Sequence, residues 1–247
     1  MDKPQNIYDN EKFYKDYRDM REKGLNANEL IEIPIMKDML PDLKGKRILD
    51  LGCGNGGMSK YFIEKGAKSV LAIDLSSNMI NEAKEKNNAE NITYVVLGME
   101  DISKIEGKFD IVFSSLAFHY VKDYDKLVKD IYNLLDDNGI LIYSQEHPIA
   151  TASKYHKEMK SYIFLDEKRY YVVSNYNENG ERKMFWNFDG VIKYHRNFSY
   201  IINTLIQNKY NLLEVRESTA SEEAIKLNSK YENQNDRPYF LFIKASK

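Results

Sequence analysis

The sequence has little cysteine and no long apolar run, and each absence excludes a class of protein. Its 247 residues include one cysteine, Cys53, so neither an intrachain disulfide nor a cysteine-based structural zinc site is possible. No apolar stretch approaches the ~18 residues of a membrane-spanning helix. The first residues also lack the apolar segment of a secretory signal. We therefore expect no membrane association and a cytoplasmic location.

An excess of either charge is also missing. The chain has 36 lysine and arginine residues against 38 aspartate and glutamate residues, a formal net charge of -2. A protein held mainly by nucleic-acid phosphates needs a basic excess, so we expect no nucleic-acid partner. Hydrophobic residues make up 43% of the chain, which is typical of a globular protein of one large or two small domains.

Short apolar runs alternate with helical patterns between residues 46 and 148. Runs that are apolar throughout indicate strands buried on both faces, as in a parallel sheet with helices on each side. The sequence therefore predicts a doubly wound α/β core. The predicted strands are Arg47–Leu51, Ser69–Asp74, Ile92–Val96, Phe109–Ser114 and Ile140–Ser144, and the predicted helices are Met58–Lys65, Ser77–Asn87 and Lys122–Leu135.

The segments that flank this core have a different texture. Residues 149–196 are rich in tyrosine, lysine and asparagine, with a strand-like run at Tyr170–Ser174, and we interpret them as an inserted cap. Residues 197–247 return to regular structure and complete the sheet, with an antiparallel last strand. Their predicted elements are a helix at Ser199–Asn208 and strands at Tyr210–Glu217 and Tyr239–Ala245.

The first 45 residues have aromatic side chains at helical spacing. Tyr8, Phe13, Tyr14 and Tyr17 recur three or four residues apart, which predicts an amphipathic helix. One interpretation is a helix that packs on the sheet. The interpretation we prefer is a lid over the ligand site, because tyrosine packs through its ring and keeps a polar tip.

The main functional signal is the glycine-rich segment ILDLGCGNGG at residues 48–57. It joins a predicted strand to a predicted helix, where glycines permit a tight turn and helix N–H groups favour an anionic ligand. Asp74 ends the next strand, where a carboxylate can accept hydrogen bonds from ribose hydroxyls. Together they indicate a nucleoside-containing ligand. The alternative is a tight strand–helix turn with a helix-capping aspartate.

Five segments, in order, resemble the class I S-adenosylmethionine (SAM)-dependent methyltransferases of the small-molecule type. They are ILDLGCGNGGMSKYF at 48–62, VLAIDLSSNMI at 70–80, MEDI at 99–102, FDIVFSSLAFHYVKD at 109–123 and NLLDDNGILIYSQEHP at 133–148. The resemblance implies a Rossmann-like fold in a single domain and SAM as the cofactor. It also implies methyl transfer to a small molecule. This reaction needs no metal in principle, and the sequence shows no metal-ligand spacing, so we expect no metal.

The same resemblance implies a set of cofactor-binding positions. The loop backbone would meet the methionine moiety, Asp74 the ribose and Leu75 the adenine. In many relatives an aspartate stands where this chain has Gly98, so adenine recognition would depend more on Glu100. The full set is Asp50, Gly52, Cys53, Gly54, Asp74, Leu75, Met99, Glu100 and Ser114, with Tyr14, Tyr17 and Arg21 from the lid.

Histidines are the candidates for a general base, which helps when the methyl acceptor carries a proton. His119 and His147 follow the fourth and fifth strands at the ligand end of the sheet, and a packing role is the alternative for His119. Candidate substrate contacts are Tyr120, His195, Arg196 and Trp186. Arg196 also fits a surface position, and Trp186 also fits the internal core of the cap.

Three other functions remain open at this point. The glycine spacing also suits an NAD(P)-dependent oxidoreductase on a similar fold. A SAM-binding protein without methyltransferase activity has the same motifs. A nucleic-acid methyltransferase is disfavoured by the isoelectric point of about 6.2 and by the absence of a basic tail.

Overall fold

Strands and helices alternate along most of the chain. The computed structural model describes residues 5–22, 25–154, 162–184 and 190–247. The strands are β1 (Arg47–Leu51), β2 (Ser69–Asp74), β3 (Ile92–Val96), β4 (Phe109–Ser114), β5 (Leu135–Glu146), β6 (Tyr162–Leu165), β7 (Lys168–Tyr171), β8 (Gly180–Met184), β9 (Val191–His195), β10 (Asn211–Glu217) and β11 (Phe240–Ser246). The helices are α1 (Glu11–Glu22), α2 (Ile33–Met39), α3 (Gly57–Glu64), α4 (Ser77–Lys86), α5 (Tyr124–Leu134), α6 (Pro148–Thr151), α7 (Phe198–Gln207) and α8 (Glu222–Leu227).

The central sheet has seven strands in the order β10-β11-β5-β4-β1-β2-β3. Strands β1 to β5 run parallel, with β1 paired to both β2 and β4. β11 runs antiparallel to its two neighbours, β5 and β10. The predicted antiparallel last strand is thus confirmed, although it lies inside the sheet and β10 forms the edge. All five predicted core strands are present, and the fold is the expected doubly wound α/β arrangement.

Helices cover both faces of this sheet. Successive residues of each strand point to opposite sides, so both faces carry apolar side chains that pack against helices. Leu49 of β1 packs in a cluster with Leu127 of α5 and Leu205 of α7. Its neighbour Ile48 packs on the other face, with Phe62 of α3 and other side chains of α2 and α4. Both β1 side chains are fully buried, which explains why the strand is apolar throughout.

Side-chain caps and a bulge set element boundaries that differ slightly from the prediction. Ser76 accepts a hydrogen bond from the Met79 N–H and begins α4, whereas Asp123 caps α5 and delays its start to Tyr124. β5 begins five residues earlier than predicted, at Leu135. Its pairing with β4 is interrupted between Leu135 and Ile140, where Asn138 takes a positive φ of 62°.

The N-terminal segment, residues 5–22 and 25–39, runs from the carboxyl end of the sheet to one of its faces, where Met36 and Met39 of α2 are buried. Asp9 accepts hydrogen bonds from the Ser76 hydroxyl at 2.6 Å and the Asn78 N–H at 3.2 Å, which holds the segment on the N-terminus of α4. Phe13 of α1 is buried against Val191 of β9. A π-helical turn at Asn28–Glu32 leads directly into α2.

Two hairpins, β6–β7 and β8–β9, follow the core between α6 and α7. The predicted strand at Tyr170–Ser174 is shifted, because β7 ends at Tyr171. Trp186 lies outside the described residues. Within the parts of the chain that the structure describes, no helix has both the length and the apolar character needed to cross a bilayer.

Candidate functional site

A cavity of about 950 Å³ lies at the carboxyl ends of the parallel strands, beneath the N-terminal segment. The glycine loop and Asp74 contribute to its wall, and Tyr8, Tyr17 and Arg21 of the N-terminal segment also line it. Ligands of open α/β sheets bind at this end of the strands. The structure therefore brings the glycine loop, the acidic residue and part of the predicted lid into one site.

The loop after β1 adopts a conformation that requires glycine. Gly52 and Gly54 have φ angles of 69° and 54°, which other residues rarely adopt. A Cβ atom on Gly52 would lie 2.7 Å from Cβ of Ala117, whereas one on Gly54 would have no atom within 4 Å. The Cys53 N–H donates to the Ile73 carbonyl at 2.9 Å, which fixes the loop to β2. The loop thus exposes its backbone to the cavity.

Asp74 joins the loop to the end of β2. Its carboxylate accepts hydrogen bonds from the Gly54 N–H at 2.9 Å and the Ser76 N–H at 2.8 Å. Burial raises the pKa of Asp74, and these backbone hydrogen bonds partly oppose that shift. An ionised carboxylate has about four lone-pair sites, so Asp74 retains hydrogen-bond sites for a ligand after binding both amides.

Asp50 is a second buried carboxylate on the cavity wall. Its Oδ2 accepts a hydrogen bond from the Ser59 hydroxyl at 2.6 Å. Burial, with a smaller contribution from the negative charge of Asp74, raises the pKa of Asp50 to about 7. A bound cation would favour its ionised form, which suits a position beside an amino group.

The predicted adenine side of the cavity is lined by Leu75, Leu97, Met99 and Glu100. Gly98 has a specific consequence here. A Cβ at this position would lie 3.0 Å from Oε2 of Glu100 and 3.3 Å from Cδ1 of Leu75. The absence of a side chain at Gly98 therefore makes room for the Glu100 carboxylate in its present position.

Two predicted cofactor contacts lie outside the cavity. The Tyr14 hydroxyl donates to the Glu82 carboxylate on α4, away from the glycine loop. Ser114 is fully buried, and its hydroxyl donates to the Leu51 carbonyl at 2.8 Å. The helical spacing that included Tyr14 did not show which face of α1 points to the cavity, and Ser114 instead links β4 to β1.

Several predicted catalytic or substrate residues also have other partners. Nδ1 of His147 accepts from the Ile149 N–H at 3.1 Å and caps α6, while Nε2 lies 2.8 Å from Glu217. Nδ1 of His195 lies 2.8 Å from the Thr151 hydroxyl, and its Nε2 lies 2.8 Å from the Tyr176 carbonyl. Neither histidine is among the residues that line the cavity.

Arg196 is buried beneath the turn that carries His119 and Tyr120. Its guanidinium donates to the carbonyl oxygens of Val121, Lys122 and Phe118. The planar guanidinium group is therefore hydrogen bonded to the backbone, and Arg196 is not among the residues that line the cavity. Of the predicted catalytic and substrate residues, His119 and Tyr120 do line it.

The sequence reasoning missed Glu146, which lines the cavity at the end of β5. Oε1 of Glu146 lies 2.5 Å from Nζ of Lys193, a buried residue of β9. Because neighbouring strand residues point to opposite sides, the cavity receives Glu146 rather than His147. No cluster of three or more metal-binding side chains occurs among the described residues.

Comparison with known proteins identifies the family to which the chain belongs. Residues 49–143 match the family described as "Methyltransferase domain". An uncharacterized protein of Haemophilus influenzae is 35% identical over 249 residues, covering 98% of this chain and 96% of that protein. The crystal structure of an S-adenosylmethionine-dependent methyltransferase from Mesorhizobium loti superposes with a TM-score of 0.80 at 31% identity, covering 91% of this chain and all of that chain.

The chain belongs to the class I SAM-dependent methyltransferases. A malonyl-[acyl-carrier protein] O-methyltransferase from Enterobacter lignolyticus is also 35% identical, but only over 105 residues, which are 42% of this chain and 41% of that protein. SAM is the cofactor of the family. The residues present suit SAM, because no side chain covers the place where a Cβ of Gly54 would be and the half-buried carboxylate of Asp74 lies beside it.

Proposed function

We propose that this methyltransferase transfers a methyl group from SAM to a small-molecule acceptor. The observation that carries this proposal is the cavity beneath the N-terminal segment, which joins a nucleoside site to a second, polar and aromatic region. Its volume of about 950 Å³ is near the upper end for small-molecule pockets, so it suits two ligands side by side.

The glycine-loop half of the cavity provides the groups that would hold SAM. Asp74 accepts hydrogen bonds from the ribose hydroxyls, and the backbone of the glycine loop and Asp50 face the methionine moiety. Leu75, Leu97 and Met99 supply apolar surface for the adenine. When bound, SAM supplies an electrophilic methyl group, and the protein's task is to align it with the acceptor and exclude water.

The other half of the cavity is suited to the acceptor. Tyr8 is in edge-to-face contact with Tyr17, their ring centroids being 5.1 Å apart, and with Tyr120 at 6.4 Å. These rings come from the N-terminal segment and from the turn after β4, so they cover the site from above. We propose that the segment acts as a lid, which favours a small acceptor over a polymer.

The partial similarity to the malonyl-[acyl-carrier protein] enzyme is not enough to assign that protein's acceptor to this chain. That similarity covers fewer than half of the residues of either protein. It therefore supports the SAM half of the proposal and leaves the acceptor to be inferred from this cavity.

The test has a binding arm and a transfer arm. Isothermal titration is expected to show binding of SAM and of its demethylated product, S-adenosylhomocysteine, and no binding of NADH. Incubation with deuteromethyl-SAM and a pooled small-molecule extract is expected to yield a labelled product by mass spectrometry. Tight SAM binding without any labelled product would instead favour a SAM-binding protein without transferase activity.

A further inference from the structure

Three polar side chains meet on one side of the cavity, and we call His119, Tyr120 and Glu146 the acceptor wall. The rings of His119 and Tyr120, on the turn after β4, lie 4.3 Å apart. The backbone N–H of Glu146 donates to Nδ1 of His119 at 3.3 Å. All three residues line the cavity, so they form one surface for a ligand.

His119 has a defined protonation state in this arrangement. A neutral imidazole carries a proton on one nitrogen and a lone pair on the other. Because Nδ1 accepts the Glu146 N–H, the ring proton lies on Nε2. Burial lowers the pKa of His119 to about 3; Glu146 opposes this shift, and Lys193 and Arg196 add to it. The ring therefore remains a hydrogen-bond donor at neutral pH, in contrast to the general base expected from the sequence.

Glu146 provides the complementary acceptor. Burial alone would favour its neutral form, but the charge of Lys193 holds the pKa of Glu146 below its ordinary value. Glu146 lines the cavity, whereas Lys193 is not among the lining residues. An ionised carboxylate has about four lone-pair sites, so hydrogen-bond capacity remains after the contact with Lys193.

The donor on His119 and the acceptor on Glu146 together determine which polar group of a ligand fits between them. A hydroxyl has one hydrogen for Glu146, one lone pair for the N–H of His119 and a second lone pair for the methyl carbon. A neutral amine has a single lone pair, which cannot serve both His119 and the methyl carbon. A carboxylate or phosphate would bring negative charge against Glu146, and like charges in contact are unfavourable in a desolvated site.

We propose that the methyl acceptor presents a hydroxyl group to the acceptor wall, so that the enzyme is an O-methyltransferase of alcohols or phenols. The inference rests on the proposed methyl transfer. As the oxygen–carbon bond forms, the sulfur–methyl bond breaks, sulfur keeps that electron pair, and the hydroxyl proton passes to Glu146. A carboxylate of ordinary or lowered pKa suffices as the base, because the proton becomes strongly acidic once oxygen bonds carbon.

The binding test compares ligands that differ mainly in the polar group. Phenol, benzoate, cyclohexanol and cyclohexanecarboxylate are titrated by ligand-observed NMR into the full chain loaded with S-adenosylhomocysteine. We expect each hydroxyl compound to bind at least about tenfold more tightly than its carboxylate counterpart. Equal or tighter binding of a carboxylate overturns the inference.

Matched variants assign that preference to the acceptor wall. The double variant Glu146→Gln/Lys193→Met removes both charges with little change in size, and we expect the hydroxyl-to-carboxylate preference to fall to within about twofold. The control is Lys154→Met/Glu178→Gln, which removes an exposed ion pair outside the cavity by the same two kinds of substitution and should keep the preference. If the double variant keeps the full preference, Glu146 is not its source and the inference fails.

A third measurement works on the unaltered protein. Imidazole ¹⁵N NMR should show His119 as the Nε2–H tautomer without titration from about pH 5.5 to 8, where an ordinary histidine titrates. Titration in this range, or an Nδ1–H tautomer, contradicts the assigned donor.

The labelled-methyl experiment separates the two proposals. An ether product supports the inference, and a methyl ester or an N-methyl product overturns it. A hydroxyl preference in binding without any transfer supports the binding inference and counts against the proposed function alone.

Discussion

Glu32 and Ser115 join the N-terminal segment to the floor of the cavity through a hydrogen bond of 2.9 Å between the Ser115 hydroxyl and Glu32 Oε1. The same oxygen accepts from the Ser144 hydroxyl at 2.5 Å, and Oε2 accepts from the Asn28 side chain at 2.8 Å. Ser144 in turn accepts the Leu116 N–H at 3.0 Å, and Leu116 has a φ of 51°. One buried carboxylate thus holds the π-helical turn against a strained residue of the cavity wall.

Replacement of Glu32 by alanine should destabilise the fold strongly. Three donors would lose their acceptor, among them the fully buried Ser144 hydroxyl, and a cavity would remain where the side chain was. We expect the free energy of unfolding to fall by about 3 kcal/mol or more. Ser115→Ala removes one of these hydrogen bonds and should cost about 1 kcal/mol. Denaturant titration measures both, and a loss below that of Ser115→Ala for Glu32→Ala would contradict a tethering role.

The features that the sequence predicted correctly are governed by local physics. β1 and β2 begin and end at the expected residues, because their apolar runs stop at a glycine turn and at Asp74. The proximity of Asp74 to the glycine loop also follows from local rules, since adjacent parallel strands end at the same edge of the sheet. These relationships need only the order of neighbouring elements.

The features that the sequence did not predict depend on contacts between distant residues. Glu32 meets partners 83 and 112 positions away in the chain, and its own segment shows no motif. The direction of a side chain at a strand end is equally hard to predict. His147 was placed at the site because it follows β5, but the next residue back, Glu146, is the one that lines the cavity.

A methyl group added at Gly52 should disturb the site beyond the ordinary cost of its backbone conformation. Gly45 is a matched control, since its φ of 73° is close to the 69° of Gly52. A Cβ at Gly45 has no atom within 4 Å, whereas one at Gly52 lies 2.7 Å from Ala117. Gly45→Ala should therefore cost about 1 kcal/mol of stability and leave S-adenosylhomocysteine binding unchanged.

Gly52→Ala should cost more stability and weaken S-adenosylhomocysteine binding at least about tenfold, because the loop backbone must shift. Thermal unfolding and isothermal titration provide the two measurements. Equal binding by the two alanine variants would show that the close approach of Ala117 does not shape the site.

The affinity for SAM should depend on pH through Asp50. The pKa of Asp50 is raised to about 7 in the free protein, and the amino group of SAM favours the ionised form. Binding should therefore release a proton below about pH 7, and affinity should fall by up to about tenfold for each pH unit below that value. Titrations in buffers of different ionisation enthalpy measure the released proton directly.

Asp50→Asn is the control for this dependence. It keeps the shape of the side chain and cannot ionise, so it should bind SAM more weakly at neutral pH. Its affinity should also change less between pH 5.5 and 7.5 than that of the unaltered protein, with Asp74 left on the cavity wall as a carboxylate of raised pKa. An unchanged pH dependence in Asp50→Asn would assign the titration to another group.

Arg196 should stabilise the fold through its hydrogen bonds to the backbone. Its guanidinium donates to carbonyl oxygens of the turn at residues 118–122, and replacement by methionine leaves those buried oxygens without a donor. We expect Arg196→Met to lower the free energy of unfolding by about 3 kcal/mol. Arg196→Lys should recover little of this loss, because an ammonium cannot reproduce the planar arrangement of guanidinium donors.

The control is Arg216→Met, at a more exposed arginine, which should change stability by less than about 1 kcal/mol. A stable Arg196→Met protein that had lost binding of phenol or cyclohexanol would instead restore the substrate-binding role predicted from the sequence.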